Sequence, residues 1–311
     1  MSHQSLVDTA EFPTIPPQPQ TQTISSLVEV DLGGLSDQGS VRTNNEDTFF
    51  VARFDRSMRA VHTNLPAGMY PIASMETCYG MLVADGMGGH AAGEVASRTA
   101  VQVMLDLVLQ TPDWIMRLDD VSSDRVVQRT QERVQQIQGA LSAQVRADAS
   151  LTGMGTTLTL AASLGADLLV AHVGDSRAYL MRAGQLHQLT HDQTLAQGML
   201  DAGIISAEDA AKHRLRHVLT GVLSANEKTV PLEVNWFRLA DGDQILLCSD
   251  GLTEMVPESK LTEVLRQPGL STEICRKLID LALEAGGKDN VTAVVARYHI
   301  PASPSVPQEG P

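Results

Sequence analysis

The 311-residue chain is poor in cysteine, in aromatic residues and in positive charge. Its three cysteines, Cys78, Cys248 and Cys275, cannot pair completely and have no CxxC spacing, so neither a disulfide framework nor a thiolate zinc site is expected. A reducing compartment fits, and the protein is expected to be cytoplasmic and soluble. Lys plus Arg number 23 against 37 Asp plus Glu, a net charge of −14. Nucleic acid and anionic membrane surfaces both require clustered positive charge, so neither is an expected partner, whereas cations are. No run of about 18 apolar residues occurs, and the amino terminus lacks a basic start before an apolar stretch, so neither a membrane span nor a secretory leader is expected. The absence of GK[ST] after a glycine-rich loop excludes a P-loop, and the absence of HExxH excludes a zinc hydrolase of that kind.

What remains is an ordinary globular composition, 43% hydrophobic and 19% charged. Residues 1–27, rich in Pro, Gln, Ser and Thr, and the Pro-rich residues 300–311 cannot bury enough apolar surface to offset ordering entropy and are expected to be tails. Residues 28–299 show no internal linker and are expected to form one domain, with a monomer as the default. Apolar and β-branched runs predict strands near residues 27–33, 48–53, 80–84, 156–163, 167–173, 177–182, 232–239, 244–248 and 290–299. Helical spacing links Val95, Thr99, Val103 and Leu107, and a longer stripe runs from Val127 through Val134, Ile137 and Leu141 to Val145. A further helix is expected to be capped by Ser271, with Glu273 at its positive end. Strands come in groups, which predicts an α+β fold with antiparallel sheets and helices outside them.

Four apolar strands deliver an aspartate where they begin or end: Asp85, Asp175, Asp250 and Asp289. A further cluster, Asn45, Glu46 and Asp47, opens the strand DTFFVAR. Carboxylates at strand ends are held rigidly with their heads toward solvent, which suits Mg²⁺ or Mn²⁺, cations that demand oxygen ligands. An Asp-Gly pair after a strand is ordinarily a turn. LADGDQ, with Asp241 and Gly242, is read as a hairpin turn without chemistry. VADGMGGH at Asp85 is richer in glycine than a turn requires. Other phosphoryl chemistries fit poorly. The sixth residue after Cys248 is Glu254 and after Cys275 is Leu281, so no cysteine-phosphatase arginine follows either thiol. Asp241 and Asp243 precede their strand and lack the hydroxyl an aspartyl-phosphate site would carry.

In order, SDQGSVRTNNED (36–47), VADGMGGHAAGEVAS (83–97), GMGTTLTLA (153–161), VAHVGDSRAYLMRAGQLHQLTHDQT (170–194), LLCSDGLTEMV (246–256) and GGKDNVTAVV (286–295) resemble the bacterial branch of the metal-dependent protein phosphatase family, type 2C. The resemblance implies two antiparallel sheets packed as a sandwich with helices on both outer faces. It implies two divalent ions, Mn²⁺ or Mg²⁺, with Asp85 bridging both, the Gly86 carbonyl on one, Asp250 and Asp289 on one, and Glu46 and Asp47 at the other. Asp175 with Asp250 matches the place of a third, weaker ion, and Arg42 the phosphate-binding arginine. Asn290 is an auxiliary residue placed to orient Asp289 or a metal-bound water.

The implied activity is hydrolysis of phosphoserine and phosphothreonine in proteins by in-line attack of a metal-bridging hydroxide, opposing a Ser/Thr kinase. A non-catalytic phosphoprotein-binding module on the same fold is the alternative. Met87 stands where many eukaryotic members carry a histidine, which leaves the leaving-group proton donor open. His90 and His191 lie in motif regions and are read as structural or solvent-facing. Residues 54–79, longer than a minimal connection, are read as a surface loop. Residues 193–226 correspond to the family's flap, where Arg214, Arg216, His213 and His217 supply local positive charge. After the flap, VLSANEKTV departs from the family's glycine-containing pattern.

Overall fold

The structure, a computed structural model, describes residues 24–66, 69, 73–88, 92–110, 120–226 and 230–301. Most of both expected tails, His90 and part of VLSANEKTV lie outside them. Strands β1 (Glu29–Asp37), β7 (Arg177–Arg182), β8 (Gln185–Gln188), β11 (Gln244–Cys248) and β12 (Val291–His299) form one sheet in the order β1-β12-β11-β7-β8. The second sheet runs β10 (Glu233–Arg238), β6 (Asp167–Val173), β5 (Leu158–Leu164), β3 (Ala73–Met87), β4 (Gly155–Thr156), β9 (Leu223–Ser224), with β2 (Asp47–Arg59) also paired to β3. Every pairing is antiparallel.

Three apolar interfaces stack these sheets between helices. Met81, Val83, Leu168 and Val170 of one sheet meet Leu180, Ile245, Leu247 and Val294 of the other. The outer face of the first sheet, with Tyr179, Leu246 and Val295, packs against Leu252, Leu261, Ile274 and Leu278 of helices α5 (Asp250–Thr253), α6 (Glu258–Leu265) and α7 (Ser271–Glu284). The outer face of the second, with Leu82, Ala84 and Leu158, packs against Ala96, Met104, Ile137 and Leu141 of α1 (Ala92–Gln110) and α2 (Asp120–Ala147). Strands such as QILLC are covered on both faces, which is why they read as unbroken apolar runs.

Four local expectations need correction. Ser271 is the first helical residue of α7, not its cap: its N–H donates to Asp31 Oδ2 at 2.6 Å and its hydroxyl to Asp31 O at 2.8 Å, which seats the helix on β1. The Asp241–Gly242 turn is no hairpin, because β10 and β11 belong to different sheets; Gly242 (φ 80°) turns the chain between layers. Within the expected loop at 54–79, residues 54–59 and 73–79 are strand, β2 and β3 pairing from Asp47↔Asp85 out to Arg59↔Ala73. Its polar, exposed outer half carries little apolar patterning, so only the ladder itself reveals it. The predicted strand at 156–163 is two strands broken at Thr157, whose Oγ1 accepts from Asp85 N at 2.9 Å.

Candidate metal centre

All strand ends that carry the predicted acids lie at one end of the sandwich. The register sets Asp47, opening β2, directly opposite Asp85 near the end of β3. Asp175 follows β6, Asp250 follows β11 and Asp289 precedes β12, while Cys248↔Arg177 and Cys248↔Ala293 place those three termini side by side. Burial, with the added charges of Asp47, Asp250, Asp175 and Asp289, holds the Asp85 carboxyl well above the usual carboxylate range. Asp250 is likewise held well above it, by burial and then by Asp175, Glu254, Asp289 and Asp47. Burial pushes Asp47 up to about 6 and Asp175, with help from Asp192, up to about 7. Glu46 is raised as well, burial outweighing the opposing pull of Arg42.

Such a concentration of carboxylates, half-buried except for the buried Asp47, is costly unless a cation meets it. The 8%-exposed Asp47 gives the clearest sign, because its Oδ1 is buried without a hydrogen-bond partner. Oxygen-only donors of this kind fit Mg²⁺ or Mn²⁺ and not a thiolate-loving ion. The three cysteines take no part: all are buried free thiols, pushed up to about 12 by burial.

Glycines let these elements approach. Neither Gly86 nor Gly251 has a positive φ, so neither Asp-Gly pair owes its glycine to a left-handed turn. A Cβ on Gly86 would lie 2.1 Å from Gly93 O, and one on Gly251 would lie 2.0 Å from Asn290 O. Gly93, in the first turn of α1, lies against the Glu46 side chain: a Cβ there would come within 2.8 Å of its carboxyl carbon. Gly93→Ala should therefore displace Glu46 at a cost of about 1–3 kcal/mol. A lower thermal midpoint with weakened Mn²⁺ affinity is expected, and unchanged values on both scales would refute the packing argument.

The remaining predicted residues are placed as follows. Arg42, 52% exposed, reaches Asp289 Oδ2 at 2.6 Å and so forms an ion pair with Asp289. Asn290 donates its backbone N–H to Asp289 Oδ1 at 2.8 Å, which orients that carboxylate. Its side-chain amide accepts from Glu46 N and donates to Gln38 O and Asn44 O, at 2.7–2.9 Å, and is thereby spent on backbone rather than left to hold a water. Gly86 donates its N–H to Glu46 O at 3.2 Å. Met87 is 42% exposed and offers no proton. His191 pairs with Asp201 at 2.7 Å, near the surface.

Residues 193–226 contain α3 (Leu195–Asp201) and α4 (Ala207–Lys212), and Gln193 anchors the root of this segment. Gln193 N donates to Gly174 O at 2.7 Å, its Oε1 accepts from Gly174 N at 3.0 Å, and its carbonyl accepts from Thr220 N at 2.8 Å. At the far root His217 Nδ1 lies 2.7 Å from Glu254 Oε1 and 4.0 Å from Asp250 Oδ2, and Arg216 lies 3.8 Å from Glu254. Among the described residues these three, His217, Asp250 and Glu254, have metal-capable atoms all within 4.8 Å of one another. Sequence reasoning missed Glu254, although its spacing four residues after Asp250 puts both on one side of a helical turn.

A family model described as "Protein phosphatase 2C" matches residues 72–277. The chain is 38% identical over 261 residues to a Mycobacterium tuberculosis protein named serine/threonine protein phosphatase PstP, covering 84% of this chain and 43% of that one. It thus spans less than half the length of that relative. A Listeria innocua protein named serine/threonine phosphatase stp is 35% identical over 222 residues, 71% of this chain and 84% of its own. The crystal structure of the PstP catalytic domain in complex with two manganese ions superposes with a TM-score of 0.68 at 34% identity, covering 88% of this chain and 99% of that one. A Streptococcus agalactiae serine/threonine phosphatase superposes with a TM-score of 0.71 at 29% identity, covering 86% and 99%. With the match spanning the acid-bearing strands Asp85, Asp175 and Asp250 and the fold shared throughout, the chain belongs to the protein phosphatase 2C family.

Proposed function

We propose that this protein hydrolyses phosphoserine and phosphothreonine in proteins with the aid of two Mn²⁺ or Mg²⁺ ions, and that its substrates are products of a Ser/Thr kinase. The observation that carries the reading is the convergence of Asp47, Asp85, Asp175, Asp250 and Asp289 at one end of the sandwich, with a buried carboxylate oxygen left without a partner. Asp85, the Gly86 carbonyl, Asp250 and Asp289, with Glu46 and Asp47 beside them, would hold the pair, and Asp175 with Asp250 a third ion. Ions bound there lower the pKa of water toward neutrality and offset phosphate charge, the chemistry direct hydrolysis requires.

The chain's own residues supply the rest. Arg42 is raised above its ordinary value by its hydrogen bond to Asp289, and its planar fork keeps its charge at any working pH. A phosphate entering beside it would compete with Asp289 for the same N–H groups. Thr157 Oγ1 and the Gly86 N–H fix the backbone at Asp85 and Glu46, and the Asn290 N–H orients the Asp289 carboxylate, so the acids are held in place before a phosphate arrives. Arg216, 3.8 Å from Glu254, brings positive charge to the rim, suited to acidic phosphoprotein segments.

Turnover of p-nitrophenyl phosphate and of a phosphothreonine peptide should require Mn²⁺ and vanish with a chelator. Arg42→Ala should raise KM for the peptide by about 10–100-fold, the equivalent of a lost charge-assisted hydrogen bond. Activity undiminished by chelation would overturn the reading. Tight phosphopeptide binding without turnover at saturating Mn²⁺ would point instead to the binding module.

A further inference from the structure

Two hydroxyls converge on a single oxygen of Asp47 from elements remote in sequence. Ser249 Oγ, at the end of β11, donates to Asp47 Oδ2 at 2.7 Å, and Thr292 Oγ1, on β12, donates to the same atom at 2.7 Å. The two are locked to each other, since Thr292 N donates to Ser249 Oγ at 3.0 Å and Ser249 N to Thr292 O at 3.2 Å. Ser36 Oγ lies 2.8 Å from Thr292 Oγ1 and accepts from Asn45 Nδ2 at 2.9 Å, while Asn45 Oδ1 accepts from Asp47 N at 3.1 Å. Ser249 and Thr292 are wholly buried.

The asymmetry is the informative feature. A buried carboxylate ordinarily shares its hydrogen bonds over both oxygens, because each unpaired lone pair in a dry site is costly. Here both side-chain donors go to Oδ2, Oδ1 is buried without a partner, and Asp85 is the residue directly opposite Asp47 across the ladder. Fixing one oxygen fixes the plane and direction of the other. Partners that orient a ligating carboxylate in this way typically contribute 10- to 100-fold to metal affinity.

We infer that Ser249 and Thr292 are positioning residues which aim Asp47 Oδ1 at the divalent-cation centre. The inference rests on the metal-centre reading above and adds two residues to it. Neither would touch an ion or the substrate; both act through Asp47 alone.

The test is Mn²⁺ binding to the chelator-stripped full chain by titration calorimetry, with circular dichroism to confirm folding. Ser249→Ala and Thr292→Val should each weaken Mn²⁺ binding by about 10-fold or more, whereas Thr292→Ser should bind within about 2-fold of wild type. Thr292→Val keeps the shape and strand preference of threonine, so the Val and Ser pair decides the matter if Ser249→Ala does not fold. In an Asp47→Asn background the same hydroxyl deletions should bring little further loss. Unchanged Mn²⁺ affinity alongside a lowered thermal midpoint would overturn the inference, leaving the hydroxyls as packing. An equal loss in the Asp47→Asn background would also overturn it, because the effect would then bypass Asp47. Wild-type protein that binds no Mn²⁺ would instead remove the metal centre on which the inference stands.

Discussion

Asp85→Asn should abolish phosphatase activity and yet make the metal-free protein more stable. The residue faces Asp47 directly across the β2–β3 ladder and feels Asp250, Asp175 and Asp289 as well. Asparagine keeps the size and one acceptor oxygen but carries no charge, so it cannot bridge two cations. Several kcal/mol of charge stabilisation would be lost, corresponding to a fall in kcat on the order of 10³-fold or more. Removal of one charge from a repelling, desolvated group acts the other way on the apoprotein, whose thermal midpoint should rise. Both effects are read from one preparation, by phosphopeptide turnover with Mn²⁺ and by a melting curve in chelator. A variant with near wild-type turnover would sink the assignment of Asp85. A lower midpoint in chelator would show that the carboxylate is satisfied inside the protein and not by a cation.

The second large effect is a stability profile that reverses when metal is added. Asp47 and Asp175 are held near 6 and 7, and Asp85 and Asp250 are held well above the usual carboxylate range, all chiefly by burial. A carboxyl whose folded pKa exceeds its unfolded value binds its proton more tightly when folded. Its contribution is fully present below about pH 4 and is lost as the pH rises through the folded values. The metal-free protein should therefore lose stability between about pH 5 and pH 8. One pH unit of difference in pKa corresponds to about 1.4 kcal/mol, so several groups together should lower the midpoint by about 10 °C across that range. With saturating Mn²⁺ the slope should invert, since ligands must be deprotonated to bind. Parallel melting curves with and without Mn²⁺ would count against the cluster as a cation site.

Local physics made much of this legible from the chain. Asp167–Val173, Arg177–Arg182 and Gln244–Cys248 are bounded by turn residues and covered on both faces, so their apolar runs mark the strand limits directly. The α1 and α2 stripes show for the same reason, each helix burying one face on a sheet. Strands without such patterning were not legible. Gln185–Gln188 is short and largely exposed, Leu223–Ser224 is two residues long, and the outer halves of β2 and β3 are polar, so each is defined only by the partner it bonds.

The site divides along the same line. That Asp85, Asp175, Asp250 and Asp289 stand at strand ends followed from the order of residues, because the apolar run and the acid that ends it are neighbours in the chain. Arg42 pairing with Asp289, His217 with Glu254, and two hydroxyls with one oxygen of Asp47 did not follow from it. Arg42 and Asp289 are 247 residues apart, and Asp47 is 202 and 245 residues from Ser249 and Thr292. Order along the chain decides which side chains can end a strand. Which of those ends meet is decided by ladder register and sheet stacking, and those depend on the burial of both faces of two sheets at once.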